Sequence, residues 1–228
     1  MISIIIPTLN EAKNITDLVM RIKACLSVPY ELIIVDDASM DGTGAIAEKL
    51  ARDYPIKVVH RDKKSGLASA VLDGFKVASG DLLGVMDSDL SHPPEILPQL
   101  IKNLELQGAD IIIASRFIKG SGIENWPLKR LLATNLAMLT VRPLTSVKDP
   151  MSGFFILKTD VIRDVPLIPR GFKILLEILG KGKYKKVVEF PYVFKDRIYG
   201  SSKLNPRVYL DFIEQLFDLY LYKIKHLF

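Results

Sequence analysis

Short runs of aliphatic residues alternate with stretches of helical spacing through the first half of the chain. Ile2–Ile6, Leu32–Val35, Lys57–Val59, Leu82–Met86 and Ile111–Ala114 are close to continuously apolar, which predicts strands covered on both faces. Between them, Ala12–Leu26, Gly42–Tyr54, Ser65–Ala78 and Pro94–Gln107 place apolar residues at helical spacing, the last opening on a proline that suits a first helical turn. This alternation predicts an α/β fold: a mixed, mostly parallel sheet with right-handed crossovers, flanked by helices.

After Ser115 the regularity weakens. Phe117–Asn125 reads as a polar loop, Trp126–Leu139 as a helix and Gly153–Leu157 as a strand. Gly171–Leu179 reads as a short helix, and Val187–Phe194 as a strand interrupted by Pro191. Lys195–Asn205, with Gly200, Ser201 and Ser202 among charged residues, predicts a mobile surface loop. The last stretch, Val208–Phe228, is helical in pattern and rich in apolar and aromatic residues. The chain divides accordingly into a domain over 1–204 and a C-terminal amphipathic helix over 205–228.

In an open parallel sheet, ligands bind beyond the carboxyl ends of the strands. Four predicted strands run into polar clusters there: Pro7-Thr8-Leu9-Asn10-Glu11, Asp36-Asp37, Asp87-Ser88-Asp89 and Ser115-Arg116. Asp87 and Asp89, one residue apart on a turn, suit a hard cation such as Mg²⁺ or Mn²⁺ that keeps phosphate oxygens among its ligands. By itself such a pair is as readily a solvated turn or a cap before Pro93-Pro94. Its place at a strand end, near a second acidic pair, favours the metal. Asp36-Asp37 suits a base or ribose, or the positive end of the helix after Asp41-Gly42. Glu11 suits ribose hydroxyls or an ordinary first helical turn. Lys63-Lys64-Ser65-Gly66-Leu67 opens a helix where backbone N–H groups can approach an anion, and reads equally as a surface loop. His60, His92 and His226 are scattered without zinc spacing. His92 reads as a cap and stays outside the predicted site.

The chain has 228 residues, 49% hydrophobic and 25% charged, which is globular composition with room for a sizeable core. A net charge of +5 suits anionic ligands without choosing among nucleotides, phospholipid surfaces and nucleic acid. Cys25 has no partner for a disulfide. No uncharged apolar run reaches the roughly 20 residues of a spanning helix, and the start of the chain reads as a strand rather than a secretory signal. A cytoplasmic protein, peripheral at the cytoplasmic membrane face, is expected.

The sequence resembles the dolichyl-phosphate mannosyltransferases among the GT-A-fold, family 2 glycosyltransferases. The resemblance runs from Ile4 to about Lys203. It rests on Ile4-Ile5-Ile6-Pro7-Thr8-Leu9-Asn10-Glu11, on Ile33-Ile34-Val35-Asp36-Asp37-Ala38-Ser39, and on Met86-Asp87-Ser88-Asp89-Leu90-Ser91-His92-Pro93-Pro94. Further along come Ser115-Arg116-Phe117, Asp149-Pro150-Met151-Ser152-Gly153 and Tyr199-Gly200-Ser201-Ser202-Lys203. The resemblance implies that Pro7, Asn10, Glu11 and Asp37 contact the donor nucleoside, and that Asp87 and Asp89 hold the metal and the donor diphosphate. It implies that Arg116, Arg130 and Thr134 hold the acceptor phosphate, and that Arg197 and Lys203 lie on a loop closing over the donor. Ser91 stands where the family commonly has glutamine.

The implied partners are a nucleotide-sugar donor, GDP-mannose first, a polyprenyl or dolichyl phosphate acceptor and a membrane surface, with no nucleic acid. Arg130 and Thr134 at i, i+4 share one helix face, which agrees with a common phosphate. A phosphate monoester is already ionised near neutral pH and attacks without a base, so inversion at the anomeric carbon needs no acid pair. Asp149 is the one candidate base for a hydroxyl acceptor. Longer members of the family continue into membrane helices. Two arrangements are therefore open: a short type leaning on a membrane-anchoring partner subunit, and a chain cut before those helices. The C-terminal helix suits the bilayer interface, with Lys223, Lys225 and His226 at its end, and suits docking on the core equally. The alternatives are a UDP-glucose enzyme on the same fold, a receiver-like signalling domain, and a non-catalytic nucleotide-binding subunit.

Overall fold

The computed structural model describes residues 1–124, 128–168, 170, 173–195 and 206–226, with the side chains of 128–130, 132 and 206–209 left out of the description. Five strands and four helices alternate first: β1 Ile2–Thr8, α1 Ile15–Cys25, β2 Tyr30–Asp36, α2 Thr43–Leu50, β3 Ile56–His60, α3 Leu67–Val77, β4 Leu82–Val85, α4 Leu97–Leu106 and β5 Ile111–Ser115. Then follow β6 Gly122–Ile123, α5 Leu128–Val141, β7 Phe155–Lys158, α6 Ile174–Lys181, β8 Val187–Pro191, β9 Val193–Phe194 and α7 Pro206–Lys225.

The main sheet has seven strands in the order β3-β2-β1-β4-β7-β5-β8. All of its strands are parallel except β7, which pairs antiparallel with both β4 and β5. The order reverses direction between β1 and β4, and such a switch point opens a crevice at the carboxyl edge. β7 lies beside that crevice with opposite polarity. Its incoming segment, Asp149–Gly153, therefore reaches the same edge as the outgoing ends of β1, β2, β4 and β5.

Period-two alternation sorts the strand residues between two cores. Ile2, Ile4, Ile6, Leu32 and Ile34 face α1 (Ile15, Leu18, Val19, Ile22) and α4 (Leu97, Leu100, Ile101, Leu104). Ile5, Ile33, Val35, Leu83, Val85, Ile111 and Ile113 face α3 (Ala68, Val71) and α6 (Ile174, Leu175, Ile178, Leu179). Gly74 lets α3 lie close on β1: a Cβ there would fall 2.6 Å from Ile5 Cγ2.

Three expectations are corrected. Val187–Phe194 is not one strand, because Pro191 ends β8 and the chain turns into β9, which pairs with β6 in a separate two-stranded sheet. The stretch 117–125 is accordingly not loop throughout. The first helix opens at Ile15 rather than Ala12, since Asn14 N and Ile15 N first close a turn on the Glu11 carbonyl.

The C-terminal helix both docks and exposes apolar surface. Leu216 and Leu219 of α7 pack with Leu176 of α6 and Val141 of α5. Gln215 Nε2 donates to the Lys173 carbonyl, and Lys223 Nζ to the Pro143 carbonyl. On its outer side α7 exposes Leu210, Ile213, Phe217, Leu221 and Ile224, with Phe217 64% exposed. Among the described residues no helix is long and apolar enough to cross a membrane.

Candidate active site

The loops after β1 and β2 are stitched together by hydrogen bonds. Asn10 N donates to Ser39 Oγ at 2.8 Å, and Met40 N to Asn10 Oδ1 at 2.9 Å. Glu11 N donates to Thr43 Oγ1 and Ala12 N to Asp41 Oδ2. Asn14 Nδ2 donates to Glu11 Oε2 at 2.7 Å, which orients that carboxylate. Pro7 is buried inside β1, and its carbonyl accepts from Ser88 Oγ at 3.2 Å, tying the first loop to the turn after β4. Asn10, Ala38 and Leu90 have φ of 56°, 60° and 63°. Left-handed backbone at alanine and leucine costs about 1–3 kcal/mol each and persists only where surroundings enforce it. All three lie on loops at the rim.

Asp37 is buried, and both its oxygens hold the loop after β3. Oδ1 accepts from Arg61 Nη1 at 2.8 Å and from Ser65 N at 2.9 Å, and Oδ2 accepts from Gly66 N at 3.0 Å. Arg61 also pairs with Asp73 at 3.2 Å and bonds Ser69 Oγ. The Ser65-Gly66 amides thus take a carboxylate from the protein itself, the anion-binding geometry expected of that turn. Asp36 accepts from Ser39 N at 3.3 Å.

At the centre stands the turn after β4. Asp87 is 33% exposed, whereas Asp89 is buried, its Oδ1 accepting from Ser91 N at 3.1 Å and Ser91 Oγ at 2.6 Å. Ser91 therefore orients Asp89. Asp87 N donates to His92 Nδ1 at 3.0 Å. Gly153 closes over this pair: a Cβ there would fall 3.1 Å from His92 Cε1 and 3.2 Å from Asp87 Oδ2, so any side chain would press on both and ask them to shift by a few tenths of an ångström. Among the described residues no three His, Cys, Asp or Glu side chains gather as a metal cage. The donor set fits a cation that arrives with its own phosphate oxygens, not one enclosed by protein.

Arg116 leaves the end of β5 with its side chain 8% exposed and grips Asp149. Nε donates to Oδ2 at 2.7 Å, Nη2 to Oδ1 at 2.8 Å, and the Arg116 backbone N to Oδ2 at 2.9 Å. Burial opposes the charge on the guanidinium, but the bonds from Asp149 outweigh it and raise its pKa above the ordinary arginine value. The backbone N–H groups of Lys148 and Asp149 donate in turn to Glu189. Asp149 is fully buried with both oxygens engaged. This corrects its place as the candidate base: it has no room to take a proton from a substrate, and it holds Arg116.

Pro7, Asn10, Glu11, Asp37, Asp87, Asp89 and Arg116 are thus brought to one rim. Thr134 lies half-buried on α5, one turn beyond Arg130, whose side chain is outside the described residues. Arg197, Lys203 and the predicted mobile loop also lie outside them. An open depression at the opposite edge, lined by Met1, Asp81, Lys158 and Arg163, gathers none of these residues. Sequence reasoning missed Arg61, Glu189 and the inward face of His92. Arg61 directly follows the β3 run and could have been found by its strand-end position. Glu189 carried no signal, since it sits within a strand.

The sequence profile described as Glycosyl transferase family 2 matches residues 3–165. The chain belongs to glycosyl transferase family 2. This family 2 chain is 47% identical over 223 residues to a dolichol-phosphate mannosyltransferase of Pyrococcus furiosus, covering 96% of itself and 63% of that relative. It is 37% identical to a dolichol-phosphate mannosyltransferase of Saccharomyces cerevisiae, covering 97% of itself and 87% of the relative. A solved structure of glucosyl-3-phosphoglycerate synthase from Mycobacterium tuberculosis, in complex with Mn²⁺, UDP-glucose and phosphoglyceric acid, superposes with a TM-score of 0.69 at 19% identity. That superposition covers 95% of this family 2 chain and 79% of the solved one, so the fold is the GT-A arrangement expected from the sequence. The receiver-like alternative falls with the family match. The acidic pair Asp36-Asp37 also follows the second strand, not the first.

Proposed function

We propose that this protein transfers mannose from GDP-mannose to a dolichyl or polyprenyl phosphate, with inversion, using Mg²⁺ or Mn²⁺. The observation that carries it is the meeting, at one rim, of the Asp87-x-Asp89 turn with the Arg116–Asp149 pair. The named relatives support the choice of sugar and lipid. Bound with the donor, the cation would neutralise charge growing on the departing diphosphate.

The rim residues supply the rest. Asn10 and Glu11, with Pro7 as floor, hold the nucleoside, and Asp37 serves it by fixing the Arg61 and Ser65-Gly66 loop beside it, with only the rest of its carboxylate left for the ligand. Asp87 and Asp89 face the diphosphate, with Arg197 and Lys203 closing over it. Arg116, Arg130 and Thr134 hold the acceptor phosphate, whose oxygen attacks as an anion already ionised near neutral pH. No carboxylate is needed as base, and the locking of Asp149 by Arg116 agrees with that. Positioning and fixed charge supply the catalysis. Residues 1–204 form the catalytic unit. The test is incubation with Mn²⁺, polyprenyl phosphate and a panel of nucleotide sugars, with the lipid product identified by mass. A mannosylated lipid from GDP-mannose is expected; a product only from UDP-glucose would establish the alternative donor.

Residues 205–228 serve as the membrane-interface element. Leu210, Ile213, Phe217, Leu221 and Ile224 form an exposed apolar stripe on α7, which ends in Lys223 and Lys225, and α5 exposes Leu136 and Leu139. Apolar burial plus attraction of lysines to anionic head groups suits peripheral attachment at the cytoplasmic face. Ile213→Glu combined with Phe217→Glu is expected to lower co-flotation with anionic vesicles about tenfold or more, because each lost burial is worth about 1.5–3 kcal/mol. Unchanged flotation in the folded double variant removes α7 as the attachment.

A further inference from the structure

His92 is a polar ring in an apolar place, 2% exposed. It stacks on Phe154 at 5.2 Å between centroids and meets the edges of Tyr192 and Phe194 at 6.1 Å each. A histidine kept only for packing in such a nest has an obvious apolar substitute, so its nitrogens need an explanation. Nδ1 accepts the Asp87 backbone N–H at 3.0 Å and therefore carries no proton. In the neutral ring the proton is on Nε2, which lies 3.8 Å from Asp87 Oδ2. Both nitrogens thus face one residue, the first acid of the metal turn, and Gly153 packs over both partners.

We propose that His92 is a positioning residue for Asp87: it fixes the turn through the Asp87 backbone N–H and holds Nε2 near the carboxylate, at a distance longer than a hydrogen bond, so that Asp87 meets a divalent cation in one orientation. This rests on the reading of Asp87 and Asp89 as the metal-binding acids. Groups that orient a metal-binding side chain without touching the metal are worth about ten- to a hundredfold in metal affinity. The carboxylate of Asp87 is partly exposed, and an unguided side chain there would sample several rotamers and lose part of its affinity to ordering.

Two substitutions separate positioning from packing. His92→Phe keeps an aromatic ring among the same neighbours but removes both nitrogens. His92→Asn loses ring volume but keeps an acceptor near the place of Nδ1 for the Asp87 N–H. The probe is Mn²⁺ with GDP, read by electron paramagnetic resonance of free and bound Mn²⁺, with thermal melts confirming folded protein at the temperature used. If His92 positions Asp87, His92→Phe lowers Mn²⁺ affinity about tenfold or more while melting close to the parent. His92→Asn melts lower yet binds Mn²⁺ more tightly than His92→Phe. The reverse order of affinities, or a His92→Phe protein that binds Mn²⁺ like the parent, overturns the proposal. A parent protein whose GDP-dependent Mn²⁺ binding is absent, or survives Asp89→Asn, overturns the metal reading itself and the proposal with it.

Discussion

Asp89→Asn is expected to leave the protein folded and to reduce sugar transfer about a thousandfold. The asparagine retains an oxygen where Asp89 Oδ1 accepts from Ser91 N and Ser91 Oγ, so the turn after β4 keeps its shape and melting moves little. The lost quantity is one negative charge at the turn where, on the proposed reading, Asp87 and Asp89 would hold a divalent cation. Removing a single preorganised electrostatic contact typically costs 10²–10³ in rate, and on the proposed reading a metal contact would go with it. The measurement is lipid product by mass against time, with Mn²⁺ varied to saturation. Transfer at the parental rate in saturating Mn²⁺ would refute the metal role of Asp89.

Asp149→Ala has the larger effect on stability. The substitution leaves the buried Arg116 guanidinium and the Arg116 backbone N without their acceptor. Breaking a buried pair by removing one partner costs about 3–5 kcal/mol. For a chain of this size that lowers the melting temperature by about 10 °C. Arg116 then loses the clamp that sets its direction at the rim, so transfer falls even at temperatures where the variant is folded. Asp149→Asn distinguishes the clamp from a base. It retains one acceptor oxygen, so a clamp predicts intermediate stability and a pH–rate profile of unchanged shape. A lost pH limb with unaltered melting would instead mark Asp149 as a base.

The parallel half of the sheet was legible because strands covered on both faces must be apolar throughout, and Ile4-Ile5-Ile6 and Ile111-Ile112-Ile113 declare that without periodicity. The rim was legible for the same reason: Asp37, Asp87 and Arg116 stand immediately beyond such runs, and strand ends are where polar groups can surface together. The orientation of β7 was not legible. Phe155–Lys158 has the same apolar character whichever way it runs, and only its insertion between β4 and β5 fixes its polarity. His92 was misjudged because burial is a tertiary property. The sequence places it on a polar turn, while Phe154, Tyr192 and Phe194, all distant along the chain, make its surroundings. Pro191 was noticed, but the break it makes sends Val193–Phe194 to another sheet, which depends on the residues around Gly122.

The reversed strand divides the labour of the rim along the chain as well as in space. Everything proposed to grip the donor's nucleoside and diphosphate on the described rim comes from consecutive strand–helix units within the first hundred residues. Arg116 and its clamp come from the far side of β7, where a single inserted segment carries Asp149 and Gly153 to the edge. Substitutions in the later stretch can therefore alter the Arg116 side of the rim while leaving the Asp87 turn and the loops after β1 and β2 in place. Gly153 is the seam, because a side chain there would press on His92 and Asp87 where the later stretch meets the earlier one.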